Sequence, residues 1–240
     1  MANYKAVEID ALESKLTAIG DAIRSKTGGT ELLTLEDMAT SIGGIKSNDD
    51  YFAEVMNKQI DKLVNDKVTG ELPTNFQRGN KNLTIVDLPL ITKMNSSIFY
   101  DCSNLKSVNL PSLKEMGAEV FGCCSQVTEI YLPELTTISG WGYVFNVCFQ
   151  LQKIILPKLT SQFGSGDFNA CGKLTTLVLG ANTVVPLTNA NAFANTAIKN
   201  GTGYIYVPRA QLEAYKAATN WSTLASQFRA IEDYPGIMEV

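Results

Sequence analysis

LKSVNLPSLKEMGAEVFGCCSQ, residues 105–126, is a stretch that the chain rewrites several times. The version before it is LTIVDLPLITKMNSSIFYDCSN (83–104), and the later versions are VTEIYLPELTTISGWGYVFNVCFQ (127–150), LQKIILPKLTSQFGSGDFNACGK (151–173) and LTTLVLGANTVVPLTNANAFANT (174–196). The shared frame is L-x-x-I/V-x-L-P-x-L/I, a variable stretch, and then F-x-x-C-x-x-L. The repeat phenylalanines are Phe99, Phe121, Phe145, Phe168 and Phe193, spaced 22, 24, 23 and 25 residues apart. A period of this length is typical of a solenoid.

Each copy predicts one short strand with one buried face, because apolar residues alternate with variable ones in SVNL and EIYL. A proline follows this strand in most copies, where its missing N–H ends the hydrogen-bond ladder at little cost. One coil alone buries too few side chains to offset the entropy of ordering its backbone. The copies must therefore stack on one another to fold.

The I-x-L-P … F-x-x-C-x-x-L wording resembles the BspA-like leucine-rich repeat over about residues 68–207. The fifth copy departs from the pattern, with Gly180 in place of the proline and Thr196 in place of the cysteine, as expected near a capped end. The resemblance implies an α/β fold: a leucine-rich-repeat solenoid of short parallel strands in five to six coils. We expect a helical module before the solenoid and a helical cap after it.

The chain divides into four predicted segments. Residues 1–46 form a helical attachment or oligomerisation module, and residues 47–67 form a helix, roughly from Tyr51 to Asn65, that either caps the first coil or makes a stem between protomers. Residues 68–203 form the solenoid. Its first coil is a degenerate copy of the repeat, with Phe76 and Gly79 in the phenylalanine and cysteine positions. Residues 204–240 form the C-terminal cap, which resembles the terminal cap of BspA-like proteins and in which Trp221 is interpreted as a core residue.

The first helix of the N-terminal module carries one apolar stripe, at spacings of four, three and four residues. The candidate oligomer contacts are Leu12, Leu16, Ile19 and Ile23. Residues 16–45, LTAIGDAIRSKTGGTELLTLEDMATSIGGI, resemble the N-terminal module of tail-associated and minor structural proteins of phages and prophages of Gram-positive bacteria. That resemblance implies virion attachment or assembly at this end, contact with other tail proteins, and a displayed domain at the other end; a homotrimer suits a tail fibre by analogy.

Composition excludes several classes of protein. The net charge is −4 and there is no basic run, so nucleic acid is not an expected partner. The apolar runs are too short for a membrane span. The N-terminus lacks the basic start and apolar core of a signal peptide, so we expect synthesis in the host cytoplasm. The resemblance to phage tail proteins implies location in the virion, with the bacterial cell surface as the alternative.

The cysteines fall into a pattern of their own. Four of the five, namely Cys102, Cys124, Cys148 and Cys171, lie three residues after a repeat phenylalanine. Equivalent cysteines on stacked coils point the same way, which places their Cβ atoms too far apart for easy disulfide bridging. A metal site wants convergent ligands, usually with histidine nearby. We therefore interpret them as a column of small buried thiols and expect no metal and no cofactor.

Catalytic patterns are not found in the sequence. The chain contains no histidine, which removes serine and cysteine nucleophile machinery that depends on it. The alternative of a capsule-glycan hydrolase requires two facing carboxylates about 5–9 Å apart. On the predicted strand face Glu129 is flanked by Ser107 and Lys153, and Asp87 lies next to Asn109. The sequence therefore predicts a protein that is not an enzyme.

A binding surface is easier to motivate. One outward strand column becomes apolar and aromatic toward its C-terminal end, and recognition surfaces favour exposed aromatic side chains. The candidate contacts in this column are Tyr131, Ile155, Val178 and Tyr206. Trp141 and Tyr143, in the glycine-flanked insertion SGWGY, could add a patch that stacks on sugars or contacts protein. The alternatives are that β-propensity alone explains the column or that the C-terminal helix covers it.

The predicted function is that of a non-enzymatic phage tail-associated structural protein. Its solenoid would contact a host cell-surface protein or glycan, or another protein of the virion. The rival hypothesis from another class is a bacterial BspA-like adhesion or binding protein, and a capsule-glycan hydrolase is the third.

Overall fold

The computed structural model describes residues 60–64 and 69–239, in which twelve short strands form three parallel sheets. The strands are β1 (Lys62–Val64), β2 (Gly70–Leu72), β3 (Ile85–Asp87), β4 (Ile91–Met94), β5 (Ser107–Asn109), β6 (Glu115–Met116), β7 (Glu129–Tyr131), β8 (Thr137–Ile138), β9 (Lys153–Leu156), β10 (Thr176–Leu179), β11 (Tyr204–Val207) and β12 (Phe228–Ala230). The sheet orders are β1-β3-β5, β2-β4-β6-β8 and β7-β9-β10-β11-β12. The copies beginning at residues 83, 105 and 127 each contribute two strands, where the sequence predicts one.

Helices are few and short in these residues. The one α-helix described, α1, runs from Leu212 to Ala217. The 3-10 helices are Ala190–Phe193, Arg209–Gln211, Trp221–Gln227 and Ile231–Asp233. Within the described part of the chain, no helix has both the length and the apolar character needed to cross a bilayer.

Strand pairing aligns equivalent positions of successive copies. Ile154 of β9 pairs with Leu177 of β10, which in turn pairs with Ile205 of β11, and all three side chains are fully buried. Alternation places these residues on the inner face and their neighbours on the outer face. The repeat frame thus sets the register, because a slip by one residue would turn the apolar set toward solvent.

A third stacked side carries the repeat phenylalanine. In the copy of Phe99, the backbone N–H groups of Ser97, Phe99 and Asp101 donate to the carbonyls of Ala118, Val120 and Gly122 at 2.9, 3.0 and 2.7 Å. Ser97 and Asp101 have φ values of 59° and 62°, and the same two positions are left-handed in the next two copies. Alternate left-handed residues let this segment donate one N–H per two residues to its neighbour without forming a regular strand.

The repeat phenylalanines form a continuous buried stack. All five are fully buried. The ring centroids of Phe99 and Phe121 are 5.8 Å apart, those of Phe121 and Phe145 are 5.9 Å apart, and those of Phe145 and Phe168 are 5.7 Å apart. The stack ends at Phe193, whose ring is 4.6 Å from that of Phe168. Burial of these rings is a large part of the apolar surface that stabilises the coils.

The buried cysteines are free thiols, and each bonds to the coil before it. Sγ lies 3.0–3.2 Å from a carbonyl oxygen in the pairs Cys102–Gln77, Cys124–Phe99, Cys148–Phe121 and Cys171–Phe145. Burial raises the pKa of the Cys102 thiol to about 12 and raises the pKa of Cys124 well above its ordinary value. The column therefore fills space, as predicted, and also links coils by weak S–H···O bonds that sequence analysis missed.

We expect a maleimide at neutral pH to modify one thiol in the native chain, Cys123, and all five after unfolding. Cys123 is half-buried, whereas the other four thiols are buried, and burial raises the pKa of Cys102 to about 12, which disfavours the reactive thiolate. Intact mass spectrometry counts the adducts, and peptide mapping locates them. Rapid uptake of two or more maleimides by the native chain would show that the thiol column is accessible and would contradict this packing.

The first coil differs from the prediction by one residue. Gln77, not Phe76, occupies the phenylalanine position, since its N–H donates to Ile98 O at 2.9 Å just as Phe99 donates to Val120. Asn80, not Gly79, takes the cysteine position. Asn80 donates from Nδ2 to Gln77 Oε1 at 2.7 Å and to Ile60 O at 2.9 Å. The first described coil thus carries a buried pair of side-chain amides, Gln77 and Asn80, in place of Phe and Cys. This pair also satisfies the backbone carbonyl of Ile60.

The predicted helix of residues 47–67 is wrong where the structure describes it. Lys62–Val64 is a strand, β1, which pairs in parallel with Ile85–Asp87. The apolar pair Leu63 and Val64 fits either periodicity, and tertiary pairing with the sheet decides between them. Residues 47–59 and 65–67 of that segment lie outside the described residues. So do residues 1–46, with the predicted oligomer contacts Leu12, Leu16, Ile19 and Ile23.

The C-terminal segment is only partly helical. Phe228, within the predicted helical cap, belongs to β12, which extends the sheet beside β11. Trp221 is fully buried, as predicted, and its Nε1–H donates to Val185 O at 2.7 Å. Its ring centroid lies 5.5 Å from that of Phe193, at the end of the phenylalanine stack.

Candidate functional site

The six predicted contact residues do not form one surface. Ile155 and Val178 are fully buried, and Tyr206 is 7% exposed. Ile231, Ile237 and Met238 pack against these three side chains. The prediction that Ile155, Val178 and Tyr206 contact a ligand is therefore wrong for the folded chain, because the chain's own C-terminal residues cover this apolar column.

Polar contacts hold this covering segment, residues 231–239, in place. The Tyr206 and Tyr234 rings meet edge to face with centroids 5.1 Å apart. Lys153 Nζ donates to the Glu239 carbonyl oxygen, and the Arg209 N–H donates to the Glu232 carboxylate at 3.0 Å. The covering segment therefore leaves Tyr131 as the one predicted contact of this column that is exposed.

Trp141 and Tyr143 lie elsewhere, in the insertion that follows β8. The Trp141 side chain is 78% exposed and that of Tyr143 is 39% exposed. Tyr143 has a φ of 63°, but Ser97 and Glu119 have the same conformation at the equivalent position, so it belongs to the coil and not to a special strain at the site. Among the large apolar side chains of the described residues, Trp141 is the most exposed.

Close backbone packing fixes the position of this insertion. Gly142 forms a parallel bridge with Ser165 of the next copy, and the Tyr143 N–H donates to Ser165 O at 3.2 Å. A Cβ atom on Gly142 would lie 2.4 Å from that carbonyl oxygen, and φ at Gly142 is +113°. Only glycine fits both demands. The insertion is thus packed against its neighbour and not a free loop.

A buried carboxylate joins the two insertions. Asp167 is fully buried in a column that holds Ile98, Val120 and Val144 in the preceding copies. Its Oδ1 accepts from the Val144 N–H at 3.1 Å, and its Oδ2 accepts from the Gly164 N–H at 2.7 Å. Burial raises the pKa of Asp167, while the backbone N–H groups oppose that rise. A polar side chain in an apolar column therefore connects the turn after Trp141 to the next insertion.

Tyrosine rings occupy the spaces that glycines leave on the same side. A Cβ on Gly166 would lie 2.6 Å from Cε1 of Tyr143, and one on Gly122 would lie 2.9 Å from Cδ2 of Tyr100. That same Gly122 Cβ position is 3.3 Å from the backbone oxygen of Tyr143, so the Tyr100 ring and the Tyr143 backbone flank this glycine. We call Tyr100, Trp141 and Tyr143 the aromatic strip. Sequence analysis missed Tyr100, although a glycine at the equivalent position of the next copy signals the space for its ring.

A row of amides continues this side toward the C-terminus. Asn169 donates from Nδ2 to Asn146 Oδ1 at 3.1 Å, and Asn195 donates from Nδ2 to Asn169 Oδ1 at 3.4 Å. We call these three residues the amide ladder. The ladder starts one turn from the aromatic strip, since the Asn146 N–H donates to Tyr143 O at 3.3 Å. Sequence analysis did not single out these residues, although two of them directly follow a repeat phenylalanine.

The carboxylates that would serve a hydrolase are not paired with one another. Asp87 of β3 pairs with Asn109 of β5, and its carboxylate accepts a hydrogen bond from Asn109 Nδ2 at 2.8 Å. Glu129 lies beside Lys153 of β9. Across residues 60–64 and 69–239, no group of three histidine, cysteine, aspartate or glutamate side chains is placed to hold a metal ion.

Comparison with known proteins agrees with this architecture. A family model described as the BspA type leucine-rich repeat region matches residues 73–203 in six copies. Among solved structures, the pneumococcal vaccine antigen PcpA is similar, with 17% identity, a TM-score of 0.55, and coverage of 73% of this chain and 41% of that one. A leucine-rich repeat protein from Bacteroides ovatus is 26% identical with a TM-score of 0.46, covering 59% of this chain and 39% of that one.

The two solved structures are similar to this chain over only part of their own length. At 17% identity, the similarity to PcpA shows the fold alone. The chain spans about two fifths of the length of each of these two proteins. No curated protein sequence matches the chain.

Proposed function

The chain belongs to the BspA-type leucine-rich repeat family, and from that premise we propose that it is a non-catalytic binding protein that adheres to a cell surface. The observation that carries this proposal is the exposed Trp141, which stands on a backbone packed against the next copy through the bridge from Gly142 to Ser165 and the bond from Val144 to the buried Asp167. Exposed tryptophan and tyrosine on a preorganised backbone bind partners with little loss of conformational entropy.

The absence of histidine from the sequence supports a function without catalysis. The strand carboxylates Asp87 and Glu129 do not adjoin a second acid. Asp87 lies beside Asn109, and Glu129 lies beside Lys153. Such neighbours do not give the two facing carboxyl groups that glycoside hydrolysis uses. Binding therefore accounts for the aromatic strip better than turnover does.

Two locations are candidates for the place where the protein binds its partner. Adhesion at a bacterial cell surface is the one that the repeat family favours. Display on a phage tail is favoured by the wording of residues 16–45, and it would assign tail attachment and oligomerisation, as a homotrimer, to the stripe that contains Leu12 and Ile23. Both settings leave the aromatic strip as the contact surface.

We assign residues 204–239 the role of closing the C-terminal end of the solenoid. Support comes from Trp221, which packs edge to face on Phe163 with centroids 6.3 Å apart and also contacts Phe193. An uncovered last coil would expose its apolar interior, and solenoids require terminal caps for solubility. Residues 231–239 also cover part of the outer strand face, which is why that face is not the proposed contact surface.

We expect Trp141→Ala to lower binding of the full chain to its target cells by at least tenfold without changing its stability. Removing a central exposed aromatic from a recognition surface costs more than about 1 kcal/mol of binding, whereas an exposed side chain contributes little to folding. The measurement is binding of the labelled chain to mammalian epithelial cells and to intact Gram-positive bacteria, the surfaces that adhesion and phage display would meet.

The matched control is Phe149→Ala, which removes another exposed aromatic, 52% exposed, from the same copy. We expect this variant to bind as the wild type does. Equal losses for both variants would argue for nonspecific hydrophobic adsorption. Unchanged binding by Trp141→Ala, or no binding of the wild type to either surface, would overturn the proposed function.

A further inference from the structure

We infer that the ligand of this surface is a neutral polysaccharide that lies along the aromatic strip and the amide ladder. The inference rests on the proposed function and names the chemical class of its ligand. The two features adjoin in the copy of Phe145, where the Asn146 N–H donates to Tyr143 O at 3.3 Å. Together they offer an apolar platform and a row of uncharged hydrogen-bonding groups.

The aromatic strip suits the apolar faces of sugar rings. A pyranose ring presents a patch of C–H groups on one face, and such patches stack on the electron-rich faces of tryptophan and tyrosine. Trp141 has the highest exposed fraction of the aromatic residues that the structure describes, and Tyr143 follows it two residues later on the same packed insertion. Because the backbone there is fixed by Ser165 and Asp167, stacking requires little ordering of the protein.

The amide ladder suits the hydroxyl groups of a repeating chain. Within the ladder Asn146 uses its oxygen and Asn195 uses its NH₂ group, which leaves a donor at one end and an acceptor at the other. A hydroxyl both donates and accepts, as an amide does. Stacked coils repeat about every 4.8 Å, close to the length of one sugar unit in an extended polysaccharide. One amide per coil therefore matches a polymer lying along the solenoid.

The charges that border the strip favour a neutral ligand. Arg78 lies 4.2 Å from the Tyr100 ring centroid and 3.8 Å from Glu119 Oε2, and Ser97 Oγ donates to the same carboxylate at 2.9 Å. Lys81 and Asp101 form a second ion pair. Since these cations are already paired with carboxylates, they give an acidic sugar no preferred partner.

A peptide strand fits this side less well than a sugar. An extended peptide binds mainly through backbone hydrogen bonds to an unpaired sheet edge. On this side the backbone N–H groups of Tyr143, Phe145 and Val147 donate to the next copy at 3.2, 2.9 and 2.9 Å. Those donors are used within the stack, so recognition falls to the side chains.

The first experiment measures binding of the full chain to immobilised neutral polysaccharides (a glucan, a mannan and a galactan) and to a polyuronate. We expect saturable binding to at least one neutral polymer, a loss of at least fivefold in Asn169→Ala and in Asn146→Ala, and no loss in Asn109→Ala. Asn109 is an exposed amide on the strand face and so controls for the loss of a surface amide. Thermal melts of each variant check that it is folded. Binding to the polyuronate alone, or equal losses in all three variants, would overturn the inference.

The second experiment separates this inference from the proposed function. Target cells are treated with periodate, which cleaves vicinal diols of sugars, or with a protease. Loss of Trp141-dependent binding after periodate alone supports a glycan. Loss after protease alone overturns the glycan while leaving the proposed function intact. Failure of the wild-type chain to bind any cell or polymer would overturn both.

Discussion

Phe145→Ala is expected to lower the free energy of unfolding by about 3–5 kcal/mol. The Phe145 ring is fully buried in the middle of the phenylalanine stack, 5.9 Å from Phe121 and 5.7 Å from Phe168 between centroids. Neighbours on both sides hold the coils apart, so the site cannot collapse easily and a cavity remains. Urea denaturation followed by circular dichroism measures the change.

The matched control for this variant is Phe149→Ala in the same copy, four residues later. Its ring is 52% exposed, so we expect a change within about 0.5 kcal/mol. Similar destabilisation by the two substitutions would show that the stack is not the core of the solenoid. A large loss limited to Phe145→Ala would show that burial in the stack, and not aromatic content, stabilises the coils.

Trp221→Ala is expected to cost about 3–5 kcal/mol as well, and to separate the C-terminal segment from the last coil. The Trp221 ring contacts Phe193, Tyr215 and Phe228, with centroids 5.5, 5.8 and 5.7 Å away. The substitution also removes the donor to the buried Val185 carbonyl. Denaturation together with limited proteolysis between residues 204 and 239 measures both effects.

A conservative variant distinguishes packing from hydrogen bonding at this position. Trp221→Phe keeps most of the aromatic volume and loses the Nε1–H donor, so we expect a smaller cost of about 1–3 kcal/mol. A wild-type level of stability and protease resistance in Trp221→Ala would contradict the role assigned to residues 204–239. If Trp221→Phe is as unstable as Trp221→Ala, the hydrogen bond to Val185 outweighs the packing.

The repeat itself could be read from the sequence because its signal is periodic and apolar. Phe121, Cys124 and Leu105 recur at matching positions, and each is fully buried as the pattern predicts. The insertion of Trp141 was also visible, since it lengthens one copy and is bracketed by glycines. Periodicity locates such features without any knowledge of tertiary contacts.

The end coil was misjudged because its core residues are polar. Gln77 and Asn80 occupy the phenylalanine and cysteine positions of the repeat. Phe76 and Gly79, each one residue earlier in the sequence, were assigned to those positions because Phe76 matches the repeat phenylalanine. Only the backbone ladder, in which the Gln77 N–H donates to Ile98 O, identifies the register. Asn80 uses its side-chain amide to satisfy the Ile60 carbonyl, a task to which an apolar residue or a thiol is less suited.

Long-range contacts decided the remaining differences. Ile155 and Val178 were expected outside on strand alternation alone, but residues 231–239 return to cover them. Nor did the sequence single out Asp167, whose buried carboxylate accepts hydrogen bonds from Val144 and Gly164 and so joins the two insertions. Neither contact leaves a periodic signal, because the partners lie far apart in the sequence or belong to a single copy.

Hydroxyl-radical footprinting of the full chain, free and bound to the cells that it recognises, tests most directly whether the aromatic strip is the contact surface. Oxidation of Trp141 and Tyr143 is expected to fall on binding, while oxidation of Phe149 stays unchanged. Equal oxidation of Trp141 in both states, with protection on the strand face around Tyr131 or within residues 1–59 instead, would place the ligand elsewhere and contradict the proposed site.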